Sequence, residues 1–345
     1  MKVNIIKPDH LGDLVLSSPA IRVLLEKFPD STLWVSPDTY PLAKFLFENA
    51  SDIRTVMFPH LSKMGNSDRE SIQKLSRSIG SSDAVNVFLR RDGPILEFVA
   101  EIRSRSVMIQ DDNLLHQSLL DRNALIPLIG NYSRSKYFFK KIRHFPTDGR
   151  LKRVGLVPGA GFTTNTWPES YWARFASLLI LSGIEVYLIG AEDIIPRLRL
   201  ISDGLGGRIP IVHCDNAFNW LNEVGEMDLI VAVDGGTAHL CSLVTPVMSL
   251  FGPSPWKRFA PFGVDNVLLT RNVFCAPCPQ FTRYSVNGCL YRHCLFEIFP
   301  DDVFAIFELL CYGKALPSDW DKDIFGVVGV SHLPVTHSNA NSRWY

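Results

Sequence analysis

Residues 228–263 read DLIVAVDGGTAHLCSLVTPVMSLFGPSPWKRFAPFG, and the fold is decided in this string. The apolar run 229–233 has the composition of a strand buried on both faces. It stops at Asp234, and Gly235-Gly236 follow at once. Thr237 is placed to cap a helix that begins with Ala238 and His239. A second apolar run, 247–251, ends in Gly252-Pro253-Ser254-Pro255, another strand and turn. Two strands thus bring two glycine-bearing loops to one sheet edge. In open α/β sheets that carboxyl edge is where ligands bind. Backbone N–H groups at a helix start favour a phosphate, and paired glycines let an anion approach the main chain. The competing reading is a plain strand–turn–helix whose glycines only make the turn.

Outward from this stretch the pattern repeats. Residues 153–157 are strand-like and lead into Pro158-Gly159-Ala160-Gly161, then Phe162-Thr163-Thr164-Asn165-Thr166-Trp167-Pro168-Glu169. A helix is expected over 169–182, and a strand over 185–189 closed by Gly190-Ala191-Glu192-Asp193. A further strand at 210–213 completes this half. In the first half, strand-like runs fall at 3–6, 33–35, 53–56, 84–89 and 106–109, with helical spacing between them. That alternation predicts βαβ units and a doubly wound parallel sheet. The first strand leads into the loop Lys7-Pro8-Asp9-His10-Leu11-Gly12-Asp13, after which Ser17 or Ser18 is expected to cap a helix with Pro19 in its first turn. Asp13 reads either as a loop or capping acid, or as a carboxylate aimed into a cleft. Arg90 and Arg91 close the fourth strand; they suit an acceptor phosphate or a solvated turn equally.

Three motifs, in order, resemble glycosyltransferase family 9, the bacterial lipopolysaccharide heptosyltransferases. Gly12-Asp13, four spacer residues and Ser18-Pro19 look like the family's N-terminal signature. Pro158-Gly159-Ala160 and Trp167-Pro168 look like its P-G-[AS]…K-x-W-P stretch. Asp234-Gly235-Gly236-Thr237-Ala238-His239 looks like its D-[ST]-G-x-x-H loop. The family's lysine, two residues before Trp-Pro, is Asn165 here, which removes a cation from the expected leaving-group site.

The resemblance covers residues 3 to about 310. It implies an α/β chain of GT-B type, two Rossmann-like doubly wound domains facing a cleft. Their expected bounds are 1–148 for the acceptor domain, 149–315 for the nucleotide-sugar domain and 316–345 for a tail. It further implies an inverting transferase that moves a heptose or related sugar from ADP-heptose to lipopolysaccharide inner core or a similar glycan. Asp13 would be the catalytic base, because an attacking sugar hydroxyl must lose a proton. Thr163, Thr164, Asn165, Asp234, Gly235, Gly236, Thr237 and His239 would hold the donor. Catalysis in the family needs no cofactor. The expected partners are therefore the nucleotide-sugar donor and the glycan acceptor. A sugar-nucleotide epimerase of the same plan, or a nucleotide-sugar-binding homologue without catalysis, would share these motifs.

Composition narrows the classes. With 46% hydrophobic and 20% charged residues in a chain of 345, long disorder is not expected. No apolar run reaches the ~18 residues of a spanning helix. The start of the chain reads as strand and loop, so a cytoplasmic protein is expected. Residues 1–150 hold 21 Lys/Arg and 17 Asp/Glu; totals of 35 and 35 leave 14 and 18 beyond them. That split is too mild for a nucleic-acid partner. Residues 131–150, NYSRSKYFFKKIRHFPTDGR, fit either a patch against the inner face of the inner membrane or an interdomain segment, with the linker at 146–150. Cys275-x2-Cys278-x10-Cys289-x4-Cys294 fits a structural metal or a set of reduced, packed thiols.

Overall fold

The computed structural model describes residues 1–58, 84–90, 105–110, 115–137, 151–161, 163–261, 265–278, 291–312 and 325–330, with 70, 73–77, 79, 95–96, 98–99, 112 and 289 between them. Arg91 and the linker at 146–150 lie outside the described residues. The chain divides into two compact units. Met1–Phe138 with Lys257–Phe259 form the first, Phe139–Trp256 with Ala260–Tyr345 the second.

The first unit is built on five parallel strands: β1 (Val3–Lys7), β2 (Thr32–Val35), β3 (Asp52–Thr55), β4 (Val85–Phe88) and β5 (Ser106–Met108). Their order is β3-β2-β1-β4-β5, so the direction of winding reverses between β1 and β4. β1, β2 and β4 are buried throughout, as helices on both faces of a parallel sheet require. Even Asn4 and Asn86 lie in this core. They stand opposite one another in register and join through Asn4 Nδ2 to Asn86 Oδ1 at 2.8 Å. Its helices with described bounds are α1 (Leu11–Lys27), α2 (Tyr40–Leu46) and α3 (Gln117–Ile129).

α1 starts earlier than the expected cap at Ser17 or Ser18. His10 is its N-cap, Pro19 lies inside the helix, and both serines are buried. Asp13 is therefore a residue of the first helical turn, where a carboxylate favours the positive end of the dipole.

The second unit carries β6 (Arg153–Val157), β7 (Glu185–Gly190), β8 (Ile211–His213), β9 (Leu229–Val233), β10 (Val247–Phe251), β11 (Asp265–Arg271) and β12 (Phe325–Val330). The order is β12-β11-β10-β9-β6-β7-β8, with the reversal between β6 and β9. All neighbours are parallel except β12, which joins the edge of β11 antiparallel. Its helices are α4 (Glu169–Leu181), α5 (Ile195–Asp203), α6 (Ala217–Gly225) and α7 (Gly236–Cys241), then α9 (His293–Phe296) and α10 (Pro300–Tyr312). The one-turn α8 (Trp256–Phe259) falls across the division of the units. The doubly wound expectation holds for both sheets. β12 has no counterpart in the sequence reading, which took residues 316–345 as a tail.

Aromatic side chains form much of the second core. Trp167 is fully buried, donates Nε1–H to Ile298 O at 2.8 Å and meets the Trp172 ring edge-on at 5.0 Å. The Trp-Pro pair of the donor motif is thus packing, which fixes the loop before it.

Candidate functional site

In a doubly wound sheet the loops on either side of the winding reversal splay apart and leave a crevice. The second unit places the sequence-selected residues there. The turn after β6 holds Thr163–Asn165, and the turn after β9 holds Asp234 and Gly235. The two loops are joined directly. Asn165 Nδ2 donates to Asp234 Oδ2 at 2.9 Å and lies 3.4 Å from Asp234 O. Ser254, from the turn after β10, donates Oγ–H to the same Asp234 oxygen, and Asn165 Nδ2 lies 3.3 Å from Ser254 Oγ. Asn165, Asp234 and Ser254 are all buried. Three adjacent strand ends therefore meet on one carboxylate. Two neutral donors satisfy it where the family's lysine would bring a positive charge.

Within this ring of loops some polar capacity is left over. Thr164 Oγ1 and Asn165 Oδ1 are buried and have no hydrogen-bond partner among the described residues. Buried polar atoms without partners are costly, so such atoms mark a place where a ligand or water completes the structure.

The helix after Asp234 differs from expectation. α7 starts at Gly236 with Gly235 as N-cap, and no side chain caps it; Thr237 is already inside the helix. His239 sits in the last turn of this short helix and is buried. Gly235 has an extended φ of 170°, which any residue adopts. A Cβ there would come no nearer than 3.8 Å to Ala160 Cα and Gly159 O. Neither backbone conformation nor packing demands that glycine. Gly190 is different, because a Cβ on it would run into Ile194 Cδ1 and Cγ1.

Sequence reading missed Arg197, which ties this region together. Its guanidinium donates to Pro158 O at 3.2 Å and to Trp167 O at 2.5 Å, and pairs with Glu169 at 2.8 Å. Burial, partly offset by Glu169, holds its pKa below the usual arginine value. The only hint in the sequence was an arginine on an otherwise apolar helix face.

In the first unit the winding reverses between β1 and β4, and a buried ion network occupies that point. Lys7 Nζ pairs with Asp9 Oδ2 at 2.8 Å and donates to Leu89 O at 2.8 Å. Arg90 Nε lies 3.3 Å from Asp9 Oδ1, and its Nη1 lies 3.3 Å from Pro8 O. Arg90 is 5% exposed, so it is neither a solvated turn residue nor an outward anion hook. Burial opposes the charge on Lys7, but the fields of Asp9, Asp13 and Asp121 outweigh it, and the lysine pKa lies above its ordinary value. Asp13 itself is half-buried, four residues past Asp9 on the same strand-to-helix passage.

The cysteine segment packs beneath the β10 turn. Cys278 N donates to Pro253 O at 2.8 Å. The Cys294 thiol is pushed up to about 12 by burial, with Cys275, Cys289 and Cys278 adding to it. Among the described residues no three His, Cys, Asp or Glu side chains are placed to hold a metal ion, so the structural metal that the spacing allowed finds no support there. No helix among the described residues is long and apolar enough to cross a membrane.

Known proteins supply the comparison for this geometry. A model of glycosyltransferase family 9 (heptosyltransferase) matches residues 131–286. Lipooligosaccharide heptosyltransferase 2 of Campylobacter jejuni is 23% identical over 322 residues, covering 88% of this chain and 96% of that protein. Among solved structures, the E. coli ADP-heptose lipopolysaccharide heptosyltransferase II aligns with a TM-score of 0.62 at 16% identity, over 91% of this chain and 99% of that one. The family 9 glycosyltransferase of Veillonella parvula aligns with a TM-score of 0.63 at 14% identity, over 77% and 85%. Two doubly wound units, motifs on their strand-end loops and relatives of matching length lead to one conclusion: the chain has the GT-B fold and is similar to the glycosyltransferases of family 9, the heptosyltransferases.

Proposed function

We propose that the protein is an inverting transferase that moves a heptose or related sugar from ADP-heptose to a lipopolysaccharide inner-core or similar glycan. The second unit binds the donor and the first binds the acceptor. The observation that carries the reading is the meeting of Asn165, Asp234 and Ser254 at the winding reversal of the second sheet. It gathers three strand-end loops around buried acceptor and hydroxyl atoms that a ligand would complete. Thr163, Thr164, Asn165, Gly235, Gly236, Thr237 and His239 hold the nucleotide diphosphate, and Asp234 orients the loop or the sugar. Gly235, which nothing inside the protein requires, keeps the main chain open to the phosphates. The E. coli structure named above is an ADP-heptose enzyme, which supports that donor.

In this reading Asp13 accepts the proton of the attacking hydroxyl while the anomeric carbon–oxygen bond to the diphosphate breaks. One displacement inverts the anomeric centre, and the diphosphate leaves with the bonding electrons. Catalysis takes no cofactor. The acceptor is lipid-linked, so the protein works at the cytoplasmic face of a membrane, and the basic residues 131–150 are its contact with that surface.

The test is turnover of a panel of nucleotide sugars, with and without deacylated inner-core acceptor. Acceptor-dependent release of ADP from ADP-heptose is expected. Epimerised donor without acceptor would replace this reading with an isomerase. Asp13→Asn is expected to lower kcat by about 10²- to 10⁴-fold with donor affinity unchanged. A full transfer rate in that variant removes Asp13 from the base role.

A further inference from the structure

The hydrogen bonds around Asp234 admit one arrangement of protons. As a carboxylate, Asp234 only accepts, so Ser254 donates its Oγ–H and Asn165 its Nδ2–H to the same Oδ2, the latter at 2.9 Å. The other neighbours of Asn165 Nδ2 are acceptors too. Asp234 O lies 3.4 Å away, and Ser254 Oγ, whose proton is given to Asp234, lies 3.3 Å away. Turning the amide over would set its carbonyl oxygen against all of these oxygens. The side chain therefore has one orientation, with its amide nitrogen on the cluster and Oδ1 turned away from it.

That oxygen is left without a donor. Asn165 is buried, and its Oδ1 has no hydrogen-bond partner among the described residues. Thr164 Oγ1, from the adjacent residue of the same turn, is buried and unpartnered as well. The two atoms make different demands. A threonine hydroxyl donates or accepts, whereas an amide oxygen only accepts. Whatever completes Asn165 must bring a hydrogen. A diphosphate joined to a nucleoside at one end and a sugar at the other is ionised at neutral pH and has none to give. A phosphate oxygen can satisfy Thr164, but it is repelled by Asn165 Oδ1. An alcohol, which both donates and accepts, can satisfy either.

We propose that Asn165 Oδ1 is a hydroxyl-recognition site, accepting a hydrogen bond from an alcohol of the bound nucleotide sugar, on the transferred sugar or on the ribose, and so helping to select the donor. This rests on the donor-binding reading of the second unit. Asn165 then serves the diphosphate only by joining the loops around it, and its oxygen reads a sugar.

Fluorine in place of a hydroxyl is close to it in size but cannot donate, so it is the probe. Affinities are measured by titration calorimetry for ADP-heptose and for analogues carrying one fluorine in place of one heptose hydroxyl, or lacking one ribose hydroxyl. At one position the wild type should bind about 10- to 100-fold more weakly, because Oδ1 is then left buried and unpaired. A sensitive position on the heptose assigns the contact to the transferred sugar, and one on the ribose assigns it to the nucleoside. Asn165→Leu, which has no oxygen, should lose that discrimination. Asn165→Lys, which donates and does not accept, should tolerate or prefer fluorine there. Losses at the other positions should be alike in all three proteins, and melting temperatures establish that the variants are folded. A second readout needs no variant: the Asn165 side-chain ¹³Cγ resonance should move downfield with ADP-heptose and not with the sensitive analogue. Equal discrimination in wild type and variants, or no sensitive hydroxyl at all, overturns the proposal and leaves Oδ1 to an ordered water. If ADP-heptose does not bind, the donor reading fails and this inference with it. If it binds and turns over without any coupling to position 165, only this inference fails.

Discussion

Asn165 shows how one residue changes the electrostatics of a site while keeping its shape. A lysine at this position would meet Asp234 as a buried ion pair. The amide meets it as a neutral donor, with Ser254 supplying the second bond. The loops stay joined, but the net charge of the cluster is one unit more negative than with lysine. Asn165→Lys is therefore expected to bind ADP more tightly, with a steeper loss of affinity as salt is raised, by isothermal titration at two ionic strengths. Equal affinity and equal salt dependence would show that position 165 does not feel the phosphates. Asn165 was legible as a departure from a motif. Its partners were not, because Ser254 lies 89 residues away and only the sheet brings them together.

At the scale of elements, strands were easier to foresee than helix ends. β9 and β10 fill their apolar runs completely, since burial on both faces leaves a continuous signal. α1 and α7 began earlier than expected because no side-chain cap marks either start. In α1 Pro19 lies well inside the helix, so a proline read as a start signal misplaced it. The β7 end shows a packing rule that composition hides. Gly190 looks like a phosphate-loop glycine, yet Ile194 and Leu198 lean on the space where its Cβ would be. Gly190→Ala should cost about 1–3 kcal/mol in urea denaturation. Adding Ile194→Val should recover part of that loss, and a double variant no better than the single one would contradict the packing account.

For the whole molecule, two doubly wound sheets were predictable from the βαβ rhythm, and the loop residues at the reversal of the second sheet came from sequence motifs. The charged interior of the first unit was not predictable. Lys7, Asp9, Arg90 and Asp121 look like surface residues in a list, and only topology shows that they share an interior. Their burial also governs how stability varies with pH. The folded Asp121 pKa of about 6 lies above its ordinary 3.8, so the fold favours the protonated form. That contribution is complete below about pH 4 and lost as pH rises through 6. Asp121→Asn should accordingly be more stable than wild type near pH 7.5, by up to about 3 kcal/mol, and no more stable near pH 4. Urea titrations at the two pH values measure this; a gap of the same size at both would place the effect in packing.

The indole of Trp167 has a practical use. It is sealed from water, bonded to Ile298 O and only two residues from Asn165. Ordering of the loop on donor binding should therefore alter its emission without any attached dye, and the difference spectrum between wild type and Trp167→Phe isolates that signal from the other six tryptophans.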